Sequence, residues 1–292
     1  MTILQAIILG LVQGLTEFIP VSSTAHLVFA ARAVSLYEGM DKNLQAQQTT
    51  ATIAVIQLGT LLAVLAYFAG DIVKILRAFI GDHLALVSGP KKEGPKLSHD
   101  AWLGWLVIIG SLPVGLIGLL FKKQIEGTFT KNLWVIATMM IVVAVLLAIA
   151  ELVGKRKREM TQLGVGDALA VGFAQALALI PGSSRSGSTI MAGLFAGETR
   201  ETAARFSFLL SIPAIAASGL LELKEAVTIL PGDSYAALAV ATVVSGIVGY
   251  ASIWFLLRFL RTHSTGVFIV YRIIVGSLIL VALSAGYISA NI

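Results

Sequence analysis

Six stretches of this chain, residues 50–69, 102–121, 133–153, 206–223, 235–257 and 267–288, are apolar almost throughout. Each reaches the length of about twenty residues that a helix needs to cross roughly 30 Å of hydrocarbon. Hydrophobic residues make up 57% of the chain and charged residues only 13%, about half the charged share of a soluble domain. The sequence therefore predicts an all-α polytopic membrane protein, because only helices or closed barrels satisfy their backbone polar groups in lipid. There is no cysteine, which excludes a disulfide framework and a thiolate metal site. The net charge of +5 is explained by a positive-inside bias, so nucleic acid is not an expected partner. Residues 3–19 are apolar and Ala31-Arg-Ala33 imitates a cleavage triplet, but no Lys or Arg precedes that run and Gln13, Glu17 and Pro20 interrupt it. A cleaved signal peptide is not expected.

Two further apolar segments, 3–34 and 164–204, are broken by the same punctuation. The first reads Gln13-Gly-Leu-Thr-Glu17-Phe-Ile-Pro20-Val-Ser22-Ser23-Thr-Ala-His26, and the second Gln175-Ala-Leu-Ala-Leu-Ile-Pro181-Gly-Ser183-Ser184-Arg185-Ser-Gly-Ser-Thr189. Aligned on their prolines, both read Ile-Pro-x-Ser-Ser, with Thr24 opposite Arg185. Broken backbone survives at membrane depth only where protein or water satisfies it, so both segments are expected to be re-entrant hairpins. The chain then divides into two repeats, 1–153 and 164–288, each a hairpin followed by three spans, within one integral membrane domain. Three is odd, so the second copy is expected upside down relative to the first. Loops 70–101, 154–165, 196–205 and 258–266 hold thirteen Lys or Arg against five in loops 35–49, 122–132 and 224–234. That places the first group in the cytoplasm, both termini outside, and the two hairpin tips near the midplane. Loop 70–101 reads as a flexible connection.

Ionisable and hydroxyl groups are costly in hydrocarbon, so their concentration in the two broken segments marks a polar site. Gln13 and Glu17 share one helix face, and Glu17 can bind a divalent cation or act as a base. A helix starting after Pro20 brings His26 onto the face of Ser22 and Ser23, a geometry that lets imidazole activate a hydroxyl; alternatively His26 bonds a neighbouring helix. Among the four histidines, His83, His99 and His263 fall in polar loops. In Pro181–Thr189, glycines allow close approach, Ser183, Ser184 and Thr189 offer hydroxyls, and a following helix aims free N–H groups at one point. Arg185 adds a fork suited to phosphate oxygens; its structural alternative is an ion pair with Glu17. Arg272 either pairs within the bundle or helps hold an anionic headgroup. Gln57 can line the cavity, Gly59 serves close helix packing, and Trp102, Trp105 and Trp134 read as interface anchors.

At these residues the chain resembles the undecaprenyl-diphosphate phosphatase, or bacitracin-resistance protein, family, through the two long motifs together with Gln57-Leu-Gly59 and Tyr271-Arg272. The resemblance runs over essentially the whole length. It implies an integral membrane hydrolase that removes the terminal phosphate of undecaprenyl diphosphate, recycling the carrier lipid for peptidoglycan synthesis and conferring bacitracin resistance. Its functional residues map onto Gln13, Glu17, Ser22, Ser23 and His26, and onto Ser184, Arg185 and Thr189. Gln13 stands where many members carry a second glutamate, and Ala25 replaces the usual glycine.

The expected mechanism is phosphoryl transfer with Ser23, His26, Glu17 and Arg185 catalytic. Ser22, Ser183, Ser184, Thr189, Gln13 and Arg272 are expected to bind substrate. Glu17 and Gln13 are expected to hold a Mg²⁺ or Ca²⁺ cofactor. Ser23 is the preferred nucleophile and activated water the runner-up. Broken inverted repeats also suit a transporter or flippase for a prenyl phosphate lipid, the rival class. Expected partners are a long-chain prenyl diphosphate and membrane lipid, with a homodimer allowed. The expected location is the plasma (inner) membrane of a bacterium, with the site open to the outer face.

Overall fold

The computed structural model describes residues 1–87, 97–121, 132–230 and 232–290. Among these lie eleven α-helices and no strand: α1 Ile3–Phe18, α2 Ser23–Ala33, α3 Lys42–Tyr67, α4 Ala69–Val87, α5 His99–Leu120, α6 Leu133–Val153, α7 Val165–Ala176, α8 Arg185–Phe195, α9 Arg200–Ile229, α10 Tyr235–Leu260 and α11 Gly266–Ser284. Six of them, α3, α5, α6, α9, α10 and α11, are long and apolar enough to cross a membrane. The protein is a multi-pass membrane protein. The spans start earlier than the apolar runs suggest at two places, because helices continue through polar residues at the membrane edge. Helix α3 begins at Lys42, and α9 begins at Arg200, capped by the Thr199 hydroxyl, inside the segment assigned to the second broken unit.

The flexible reading of 70–101 is corrected over its first part. Residues 69–87 form α4, with Asp71 in its first turn, and Val73, Leu76, Ile80, Leu84 and Val87 make an exposed apolar stripe. Their spacing of three and four residues is that of a helix lying in a membrane interface. Helix α4 packs on α5, where the Trp105 indole N–H donates to His83 Nε2 at 3.1 Å. His83 is thus helical, and Trp105 has a protein partner as well as a place near the span's end. Residues 88–96 and all of loop 122–132 except Asn132 lie outside the described residues.

Small residues set the distances between helices. Both α1 and α3 pack along α10, and a Cβ at Gly59 would lie only 2.0 Å from the Thr242 carbonyl oxygen. No larger residue fits there, which bears out the packing role read for Gly59. Around this seam, α1–α2 and α7–α8 form two helix–turn–helix units whose arms are too short to span. The first turns at Pro20 and the second at Pro181–Gly182. Gly182 has φ +91° and its missing Cβ would sit 2.1 Å from the Ile136 carbonyl oxygen, so this turn needs glycine for conformation and for clearance.

At the end of α8 the chain turns through Gly197 and Glu198 into α9. Glu198 is completely buried, and neither carboxylate oxygen has a hydrogen-bond partner among the described residues. Asp167, nearby, is held by Arg158 at 2.5 Å, so that cation is already engaged. Burial, followed by the charge of Asp167, pushes the Glu198 carboxyl up to about 7, against the opposing pull of Arg158. The folded chain therefore holds this proton more tightly than the unfolded one. Its stabilising contribution is complete below about pH 4.5 and is lost as pH rises through about 7. Glu198→Gln is expected to melt with the wild type in detergent near pH 4.5. At pH 8 it should be more stable by up to about 3 kcal/mol; coincident melting at both pH values would contradict this account.

Candidate active site

The two turns meet around one carboxylate. Glu17, near the end of α1, is 7% exposed. Its Oε1 accepts from Arg185 Nη2 at 2.6 Å, and its Oε2 accepts from the Ser23 hydroxyl at 2.8 Å and from Gln13 Nε2 at 3.1 Å. Gln13 and Glu17 share a face as their spacing requires, and the same amide nitrogen reaches the Thr60 hydroxyl of α3 at 3.2 Å. Thr60 in turn donates to the Gln57 carbonyl at 2.7 Å. Thr60 was not picked out from sequence, although a hydroxyl beside Gln57 and Gly59 within a span was the available signal.

Ser23 and Arg185 are each the first helical residue after their turn. They are structural counterparts, which corrects the alignment that put Thr24 opposite Arg185. The reason is the place of the proline: Ser23 follows Gln13, and Arg185 follows Gln175, by the same ten residues, but Pro20 stands three residues before α2 and Pro181 four before α8. The residue before each helix, Ser22 at φ 79° and Ser184 at φ 67°, is left-handed without being glycine. Such conformations cost of order 1–3 kcal/mol and persist only where surroundings impose them. Ser184 Oγ caps α8 by accepting from the Gly187 N–H at 3.2 Å, whereas Ser22 Oγ is buried without a partner among the described residues.

What imposes the turns is Arg272 of α11, fully buried. Its guanidinium donates only to main-chain carbonyls: Nε to Met140 at 3.1 Å, Nη1 to Pro20 at 3.3 Å, and Nη2 to Met139 at 3.3 Å and to Gly182 and Ser183 at 3.0 Å each. One side chain thus ties both turns to α6. A second link joins them directly, the Ser186 hydroxyl donating to the Ile19 carbonyl at 3.4 Å. The Arg185 guanidinium lies 5.9 Å above the Phe18 ring, and its Nη1 is buried with no partner among the described residues. Half of the fork is therefore committed to Glu17 and half is uncommitted.

Comparison with known proteins follows the same residues. The family described as bacitracin resistance protein BacA matches residues 6–278. The chain belongs to this family. Similar curated proteins, each called undecaprenyl-diphosphatase, include one from Syntrophobacter fumaroxidans, 51% identical over 96% of this chain and 97% of the relative. One from Mycolicibacterium gilvum is 48% identical over 99% of this chain and 100% of its own. One from Chloroherpeton thalassium is 46% identical over the same shares.

Within this BacA chain, the structure brings Gln13, Glu17, Ser23 and Arg185 into one hydrogen-bonded cluster. His26 sits beside it but makes no hydrogen bond to Ser23; its Nδ1 bonds the Ser22 carbonyl at 2.7 Å and its Nε2 the Tyr271 hydroxyl at 2.6 Å. Ser183 and Thr189 are fully buried. The Ser183 hydroxyl donates to the Ile180 carbonyl at 2.7 Å, and the Thr189 hydroxyl bonds the Arg185 carbonyl at 2.7 Å and the Ser207 hydroxyl at 2.6 Å. Arg272 likewise faces carbonyls rather than the opening. In this conformation these three shape the turns and the start of α8. Arg272→Lys supplies one ammonium where a fork meets five carbonyls, and breaking a buried charged network costs about 3–5 kcal/mol. The variant is expected to melt on the order of 10 °C lower in detergent; an unchanged melting temperature would show that the turns hold without it.

Proposed function

We propose that the Glu17, Ser23 and Arg185 cluster is where this BacA-family enzyme performs its reaction. The protein is an undecaprenyl-diphosphatase, hydrolysing undecaprenyl diphosphate to undecaprenyl phosphate and inorganic phosphate. The observation that carries the assignment is the Ser23 hydroxyl already donating to Glu17, on the same carboxylate that fixes Arg185. Glu17 is the base that accepts the Ser23 proton as Ser23 Oγ attacks the terminal phosphorus. The anhydride P–O bond breaks and undecaprenyl phosphate leaves. The uncommitted Nη1 of Arg185, with the amides at the start of α8, stabilises charge on the phosphoryl oxygens. Water then cleaves the phosphoserine, giving its proton to His26 Nε2, and Ser23 recovers its own from Glu17. His26 is assigned to this second step because Ser23 has Glu17, not His26, as its partner. A transport-only reading is not favoured, since a carrier has no need of a serine activated by a carboxylate.

No group of three or more His, Cys, Asp or Glu is close enough to hold a metal among the described residues. The remaining donors, the Glu17 carboxylate, the Gln13 amide oxygen and the unpartnered Ser22 hydroxyl, are hard oxygens. They fit a Mg²⁺ or Ca²⁺ that takes much of its coordination from substrate phosphates. Such an ion, when bound, would neutralise phosphate charge.

The short arms of α1–α2 and α7–α8 support the reading of both units as re-entrant hairpins in inverted repeats. The charge bias supports both termini outside and a site open to the outer face of a bacterial inner membrane. The absence of cysteine makes this testable. Met40→Cys is expected to react with an impermeant maleimide on intact cells, and Lys157→Cys only after permeabilisation; the opposite pattern would invert the orientation. For the chemistry, Ser23→Ala is expected to lose at least a thousandfold in phosphate release. Acid quenching of the wild type with substrate labelled in its terminal phosphate should trap labelled enzyme, and Ser23→Ala none. Turnover by folded Ser23→Ala near the wild-type rate would assign the attack to water.

A further inference from the structure

Tyr271 stands next to Arg272 on α11 but faces a different neighbour. Its ring is stacked with that of His26, the planes nearly parallel at 14° and the centroids 5.6 Å apart, and its hydroxyl is 2.6 Å from His26 Nε2. On the far side of the imidazole, Nδ1 lies 2.7 Å from the Ser22 carbonyl oxygen. A carbonyl only accepts, so the Nδ1 position carries the proton and Nε2 of the neutral ring carries the lone pair. The Tyr271 hydroxyl is therefore the donor. His26 is held at both edges, by the strained turn before α2 and by a tyrosine whose backbone is anchored through Arg272.

We propose that Tyr271 is a positioning residue for the dephosphorylation half of the reaction: it fixes the tautomer and ring plane of His26, so that Nε2 meets the hydrolytic water as a lone pair. Tyr271 is 41% exposed, so its hydroxyl can yield its place to water while the ring remains oriented by Ser22. The proposal rests on the serine phosphatase reading above. No bond to Tyr271 forms or breaks. The water's proton goes to His26 Nε2, its oxygen to phosphorus, and the phosphorus–Ser23 bond cleaves.

The test compares Tyr271→Phe and Tyr271→Leu in purified protein with undecaprenyl diphosphate. A packing role for the ring makes Phe equal to wild type and Leu defective, whereas positioning through the hydroxyl makes both defective. The expected result for Tyr271→Phe is a ten- to hundredfold lower kcat with KM falling in parallel, so that kcat/KM stays within threefold and acid-trapped phosphoenzyme accumulates. In a His26→Asn background the same substitution should have no further effect. A Tyr271→Phe kcat within twofold of wild type, or an equal loss with and without His26, would overturn the proposal. An independent readout needs no turnover: with His83, His99 and His263 changed to Gln, the ¹⁵N resonance of His26 Nε2 should move on Tyr271→Phe. An unmoved resonance would overturn the hydrogen bond itself. Wild-type activity and the Ser23 label decide the phosphatase reading separately.

Discussion

A guanidinium sealed from solvent, bonded to main-chain carbonyls and to no acid among the described residues, is the constraint on which this architecture rests. Turns that interrupt helices inside a membrane leave carbonyls without a helical partner, and in hydrocarbon each such group costs several kcal/mol. A buried cation has the converse need, since its desolvation must be offset by donors' worth of acceptors. Arg272 answers both at once by gathering carbonyls of the Pro20 turn, the Gly182–Ser183 turn and α6. Remove it and two broken segments from opposite halves of the chain lose their shared tie to α6, keeping only the Ser186–Ile19 and Arg185–Glu17 bonds described between them. The positive φ values at Ser22 and Ser184 are sustained by that tie.

Much of this was legible beforehand because hydrocarbon is a demanding solvent. Its thickness dictated six apolar runs, and its intolerance of polar atoms made Glu17, His26 and Arg185 conspicuous. What could not be read was fine register. The proline alignment concealed that Pro181 stands one residue further from its helix than Pro20 does, with left-handed Gly182 in the place of Pro20, so Ser23 rather than Thr24 answers Arg185. Nor does composition tell where a hydroxyl points. Thr189 looks identical in sequence to a substrate contact and to a helix-packing residue, and its bonds to Arg185 and Ser207 are those of the second. Helix α4 was missed because Gly, Pro and Lys further along the loop overshadowed the periodic Val73, Leu76, Ile80 and Leu84.

Glu17 occupies the junction of these effects. It comes from the first unit, yet it holds the arginine of the second, and the ion pair at 2.6 Å lets one carboxylate hold the Ser23 hydroxyl and the Arg185 guanidinium together. The arrangement couples the two halves through chemistry as well as packing. Glutamate has no counterpart in the second unit, where Leu179 follows Gln175 at the same spacing and the Gln175 amide, fully buried, has no partner among the described residues.

The unlike residues that open the two short helices have a consequence for recognition. Two units built on the same pattern, facing each other across a centre, would present matching atoms to a ligand and leave a diphosphate free to bind either way round. Because one helix opens on serine and the other on arginine, the centre has a head and a tail. A diphosphate, whose two phosphates are nearly alike, would then meet the Ser23 hydroxyl from one unit and the Arg185 guanidinium from the other, both held by Glu17. Polarity of reading arises from the unlike first residues of two helices that begin at the same distance from Gln13 and Gln175.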